Sequence, residues 1–275
     1  MIGLVTDSAS MLPDELRDRH GVRVVPITIG VDGVDHLEGV DLDTADFYRR
    51  LADGASVTTA APAPGAFVDT YRTAAALGAQ HVLSIHTGSA YSATVASATV
   101  AANMVDVPVD VVDTGVASFP VALAVWAAAG VLDAHGDVAT AARAATDTAR
   151  SAGSLFVVGV PEVARTGGRF TGIGQDLTAY TVLELRSGEL AVHAEAPDLE
   201  AAIESMAERA RHVATTRQIR VGVGHAMRPA LATELVRQLD GCEGIAEILI
   251  YEVGPSVGAH TGPGTVGVVY APVPT

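Results

Sequence analysis

The sequence predicts an α/β protein in two domains: an N-terminal parallel sheet with helices on both faces over residues 1–153, and a C-terminal α+β domain with a mixed sheet over residues 154–275. Three observations carry this. Short apolar runs alternate with segments of helical periodicity through the first half, the pattern of a parallel sheet covered on both faces. That alternation stops after Ser151-Ala152-Gly153. Beyond it, Thr178 to Leu185 and Glu189 to Glu195 flank Arg186-Ser187-Gly188 at hairpin spacing, so part of the second sheet is antiparallel.

In chain order, Ile2-Gly3-Leu4-Val5 reads as a buried strand ending in Thr6-Asp7-Ser8, and Pro13 to Arg19 as a helix opened by proline. Val22 to Ile29 reads as a second strand and Val31-Asp32-Gly33-Val34 as a turn. Asp43 to Ala52 places Ala45, Phe47, Tyr48 and Leu51 at helical spacing. Thr58 to Gly65 reads as a loop because of its prolines. A helix over Ala66 to Leu77, a strand over His81 to Ile85, a helix over Ser92 to Met104 and a strand over Val109 to Asp113 follow. Val116 to Asp133 and Val138 to Ala152 are alanine-rich helices. In the second half, Leu155 to Val160, Ile219 to Val223, Ile248 to Val253 and Val266 to Ala271 read as strands, and Leu199 to Val213 and Pro229 to Leu239 as helices.

Composition removes several classes of function. The 275 residues carry 17 basic and 32 acidic side chains, net −15, which opposes a nucleic-acid or anionic-membrane partner because a phosphate backbone needs a basic footprint. Every basic residue is arginine. Schiff-base lysines, P-loop lysines and kinase lysines are therefore excluded, and the expectation is that another chain supplies the machinery for any ATP chemistry. The histidines lack zinc-site spacing and no H-E-x-x-H occurs, so neither a metal nor a cofactor is expected. Cys242 is a lone thiol on a surface turn. Thr114 to Leu132 is uncharged and near membrane-spanning length, but its Gly, Ser and Pro content reads as a buried helix. The N-terminus has no basic region and no cleavage signature, and the expectation is a cytoplasmic protein.

The densest loop signal is Gly254-Pro255-Ser256-Val257-Gly258-Ala259-His260-Thr261-Gly262-Pro263-Gly264, with four glycines and two prolines between two strand runs. It reads as a turn whose backbone amides, His260 and Thr261 suit an oxyanion. Gly88 to Ser92 leads into a helix, whose N-terminus also favours an anion. In an open α/β sheet, ligands bind beyond the carboxyl ends of the strands, where Thr6-Asp7-Ser8 and His86 to Ser92 fall.

Taken in order, Thr-Asp-Ser at Thr6, Thr-x-x-Pro-x-Pro-Gly at Thr59 to Gly65, Ser-x-x-Ser-x-Thr at Ser89 to Thr94, Gly-Gly-Arg at Gly167 to Arg169, and Gly-Ala-His-Thr-Gly-Pro-Gly at Gly258 to Gly264 resemble the DegV family across nearly the whole chain. The resemblance implies a protein that holds one long-chain fatty acid in a buried tunnel. It also implies a partner, an ATP-binding fatty acid kinase subunit that phosphorylates the presented carboxylate, and no catalytic residue in this chain. It places Thr59, Ser89, Ser92, Arg169, His260 and Thr261 at the ligand. The chain departs from the family pattern at Ala60, Ala61, Ala63, Gly88, Tyr91 and Ala93 and at His225-Ala226-Met227. Purely structural roles stay open beside these: Ser89 and Ser92 as helix caps, Thr59 as a turn hydroxyl, Arg169 as a surface group, His260 as a core histidine. The rival function is a serine hydrolase with Ser89 or Ser92 as nucleophile, His260 as base and Asp7 as orienter, although no Gly-x-Ser-x-Gly elbow is present.

Overall fold

The computed structural model describes residues 1–166, 177–178, 180–186 and 189–273. The chain begins with β1 (Ile2–Asp7), a 3-10 turn (Ser8–Ser10), α1 (Asp14–His20), β2 (Arg23–Val25), β3 (Thr28–Val31), β4 (Val34–Leu37), α2 (Thr44–Ala52) and β5 (Val57–Ala60). It continues through α3 (Pro64–Ala76), β6 (His81–His86), α4 (Thr94–Ala102), β7 (Val109–Asp113), α5 (Phe119–Asp133) and α6 (Val138–Ser151). Then follow β8 (Gly153–Val157), α7 (Pro161–Thr166), β9 (Thr181–Arg186), β10 (Glu189–Glu195), α8 (Leu199–Ala214), β11 (Ile219–His225), α9 (Pro229–Leu239), β12 (Ile245–Glu252), α10 (Pro255–Thr261) and β13 (Val266–Pro272).

Three sheets result. A parallel sheet runs β2-β1-β6-β7, a mixed sheet runs β10-β9-β8-β13-β11-β12, and a small antiparallel sheet runs β4-β3-β5. Among the described residues of the mixed sheet, β11 and β12 pair in parallel and the other neighbours antiparallel. The α/β class and the parallel and mixed sheets are as the sequence predicts.

Three readings are corrected. Val22 to Ile29 is not one strand: Pro26 has no amide proton for a ladder, and the chain breaks there, leaving β2 in the parallel sheet and β3 in the small one. Thr58 to Gly65 is not all loop, because Thr59 sits in β5, paired with Ile29. The 254–264 stretch is not a turn. Gly254 caps α10 and Pro255 occupies its first turn, where a missing amide proton costs nothing, while Gly262 ends it at φ 80°.

Helix α5 is apolar all round and buried along most of its length, from Phe119 to Ala129. It packs against β1 and β6 on one side and β11 and β13 on the other, so it forms a wall common to the parallel and mixed sheets. One core cluster gathers residues from both halves, among them Phe47, Phe119, Trp126, Tyr251 and Val269. Among the described residues no helix is long and apolar enough to cross a membrane.

The mixed sheet has two different faces. Leu155, Val157, Val221, Val223, Val266 and Val268 pack under α8 and α9. Strand alternation turns Ser154, Phe156, Gly222, Gly224, Gly267 and Val269 to the opposite side, towards α5. A Cβ at Gly222 would collide with the Phe119 ring, and one at Gly224 with the Tyr251 ring. These rings stack with centroids 4.3 Å apart. Glycine at both positions is what lets the ring pair lie on the sheet.

Candidate functional site

Between the α5 side of the mixed sheet and the loops of the first half lies a largely apolar cavity of about 360 Å³. That is within the range of roughly 300–1,000 Å³ usual for small-molecule sites. Its floor is Ser154, Phe156, Gly224, Gly267 and Val269, and its remaining wall draws on both halves of the chain.

The sequence-predicted residues fall into three groups. Thr59, Ser92, His260 and Thr261 all line the cavity. Thr59, on β5, and His260, on α10, meet with Oγ1 and Nε2 3.2 Å apart, although 201 positions separate them. Ser92 Oγ shares a hydrogen bond of 2.7 Å with Thr94 Oγ1 and accepts one from the Thr94 amide, so it bonds the first residue of α4 while lining the cavity. Thr261 donates its hydroxyl to Val257 O, one turn back. Ser89 is exposed and lies outside the cavity wall; its amide donates to Asp113 Oδ1 at 3.1 Å. Arg169 and the Gly167-Gly168 pair lie outside the described residues.

The hydrolase set is not assembled. Asp7 ends β1 and His86 ends the adjacent parallel strand β6, so register brings those two together instead. His86 Nδ1 lies 3.0 Å from Asp7 Oδ2, Thr87 donates its amide to Oδ2 and its hydroxyl to Oδ1, and both partners are fully buried. The chain continues from His86 Nε2 through Ser84 Oγ at 2.6 Å to the Tyr71 hydroxyl at 2.9 Å. Burial pushes Tyr71 up to about 12, drawn back by Ser84. His86 is therefore the centre of a buried polar chain that backs the cavity through Thr87.

The departures from the family pattern are partly explained. Ala60, Ala61, Tyr91 and Ala93 all line the cavity. Gly88 has no room for a side chain, because a Cβ there would lie 2.6 Å from the Gly115 carbonyl carbon.

A residue that pattern reading missed fixes α10. The Glu38 carboxylate, 6% exposed, accepts from the Ser256 amide at 2.7 Å and from the Ser8 hydroxyl at 2.5 Å. It thus satisfies a first-turn amide of the helix that bears His260. Burial holds the carboxyl above the usual carboxylate range, against the pull of the Ser256 and Ser8 hydrogen bonds. No sequence signal marks Glu38, since its partners lie 30 and 218 residues away. Among the described residues no group of His, Cys, Asp and Glu side chains is arranged to hold a metal.

Fold and cavity together define a class: an α/β protein in which a parallel and a mixed sheet share a helical wall beside a largely apolar cavity with a polar cluster in its lining. The chain belongs to the DegV family, whose model, described as uncharacterised proteins, matches residues 1–273. A DegV domain-containing protein of Streptomyces coelicolor is 34% identical over 98% of this chain and 97% of its own length. Among solved structures, a fatty-acid-binding DegV family protein from Thermus thermophilus is 31% identical with a TM-score of 0.89, covering 98% of this chain and 99% of that one. DegV from Bacillus subtilis, at 23% identity, shares the fold with a TM-score of 0.88 over 98% and 99% of the two chains.

Proposed function

We propose that this protein holds a long-chain fatty acid in the cavity and presents its carboxylate to an ATP-binding kinase subunit, in two domains divided at residues 153 and 154. The observation that carries the reading is the meeting of Thr59 and His260 in the wall of a largely apolar cavity. A carboxylate removed from water needs hydrogen-bond donors, and a hydroxyl and an imidazole N–H supply them. An alkyl chain needs only apolar surface, and each buried methylene contributes about 0.8 kcal/mol. The fatty-acid-binding Thermus relative, at 31% identity, supports the same ligand class.

Thr59, Ser92 and His260 hold one carboxylate oxygen in this reading, and Arg169 joins them as the family resemblance implies. The other oxygen attacks the γ-phosphorus of ATP on the partner, forming an acyl phosphate and releasing ADP. This chain supplies binding and orientation. Its lack of lysine leaves the nucleotide machinery to the partner, and a cytoplasmic location fits that partnership.

Organic extraction of the purified protein followed by mass spectrometry should yield one acyl chain per protein. Removing two methylenes from a competitor should weaken displacement of a fluorescent fatty acid by roughly 15-fold. Thr59→Ala and His260→Ala should each weaken it by about tenfold. His260→Ala should also lower acyl-phosphate formation with a matching kinase subunit. Absence of both an extracted acyl chain and displacement would refute the binding role. Binding without acyl-phosphate formation by any matching kinase would refute presentation alone.

A further inference from the structure

The cavity floor contains a hydroxyl group that a plain hydrocarbon chain leaves without a partner. Ser154, near the start of β8, contributes to the floor beside Val269 and Leu185 of the neighbouring strands. It is 8% exposed, and its hydroxyl forms no hydrogen bond with any described residue. Ser118 lines the same cavity at the N-terminus of α5. Its backbone sits at φ 64° and ψ −149°, a region that strains every residue but glycine, and its side chain does not cap the helix. The buried Tyr251 hydroxyl lies over Gly224 and hydrogen-bonds the Ser118 side chain, so the two form a polar pair in the wall with hydroxyl capacity left for a ligand oxygen. A strained residue persists where its side chain is used, and a buried hydroxyl without a partner opposes any ligand that cannot satisfy it.

We propose that the acyl chain bound here carries an oxygen substituent, a hydroxyl or keto group along the chain, recognised by Ser154 and by the Ser118–Tyr251 pair. This rests on the fatty-acid reading above and names the ligand class within it. Each serine hydroxyl both donates and accepts, so it pairs with either substituent. A site built to hydrogen-bond a ligand oxygen rejects the analogue that lacks it, because its own buried groups are then left unpaired.

The test is displacement of a fluorescent fatty acid from the full-length protein. The competitors are octadecanoic acid and a set of monohydroxylated octadecanoic acids in which the hydroxyl is stepped along the chain. One hydroxyl position should bind about tenfold tighter than octadecanoic acid. Ser154→Ala should erase that preference, tightening octadecanoic acid and weakening the hydroxylated one. Tyr251→Phe is the second variant, and it should shift the preference if the favoured oxygen lies at the α5 end. Equal binding of all the acids, or a preference that survives both variants, would overturn the inference while leaving fatty-acid binding intact. Failure of every acid to displace the probe would overturn the fatty-acid reading and this inference with it.

Discussion

Removing the Glu38 side chain should loosen the helix that carries His260. In Glu38→Ala the Ser256 amide and the Ser8 hydroxyl both lose their acceptor in a region where Glu38 is 6% and Ser256 8% exposed. Each buried donor left unpaired costs about 1–3 kcal/mol, less where water enters the space, so the loss should be about 3 kcal/mol. For a chain of this size that lowers Tm by roughly 6–12 °C. Glu38→Gln keeps an acceptor for the amide and a donor for Ser8, and should cost less than about 1 kcal/mol. The two variants also differ from wild type in pH dependence. Burial raises the folded carboxyl above its ordinary 4.5, so between the two values the native state holds a proton that the unfolded chain has released. That stabilising contribution is complete below 4.5 and is lost as pH rises through the folded value. Glu38→Gln should lack the decline. Thermal melts from pH 4 to 8, with fatty-acid displacement alongside, read both effects. An alanine variant as stable as wild type, or a glutamine variant as damaged as alanine, would refute the account of Glu38 as the anchor of α10.

Two further outcomes follow from the geometry. A Cβ at Gly267 would lie 2.6 Å from the Leu155 carbonyl oxygen and 2.7 Å from the Phe156 Cβ, so Gly267→Ala should lose about 2 kcal/mol in chemical denaturation. Gly65→Ala, with nothing within 4 Å, is the control that should not. Burial draws the His225 imidazole below 6.5, opposed by the Glu252 carboxylate. The stability it contributes is present above 6.5 and falls away as pH drops through the lowered value. An NMR titration midpoint at or above 6.5 would contradict this.

The alternation of strand and helix was legible because buried parallel strands and covering helices impose different spacings on apolar residues. Motif resemblance singles out Thr59, Ser92, His260 and Thr261, and the fold brings all four to the cavity wall. Other features depended on partners far along the chain. Asp7 and His86 are brought together by strand register, and Glu38 by the docking of α10. Spacing alone did not separate Ser92, which faces the cavity, from Ser89, which does not. The α10 error was avoidable in principle, since Gly254-Pro255 and Gly262 are helix punctuation as much as turn punctuation. Glycine density outweighed that signal. Tyr251 reads only as a member of a strand and Ser154 falls just ahead of one, and nothing local reveals which face of a strand meets empty space.

Helix α5 belongs by sequence to the first segment yet covers the inner face of the second sheet. Chimeras between relatives therefore cannot be joined freely near residue 153. A graft that brings a foreign second half against this α5 must also match Phe119 to Gly222 and Trp126 to Arg220 beneath them. Recombination within the family should tolerate crossovers that exchange α5 together with β11, β12 and β13, and should select against those that separate them.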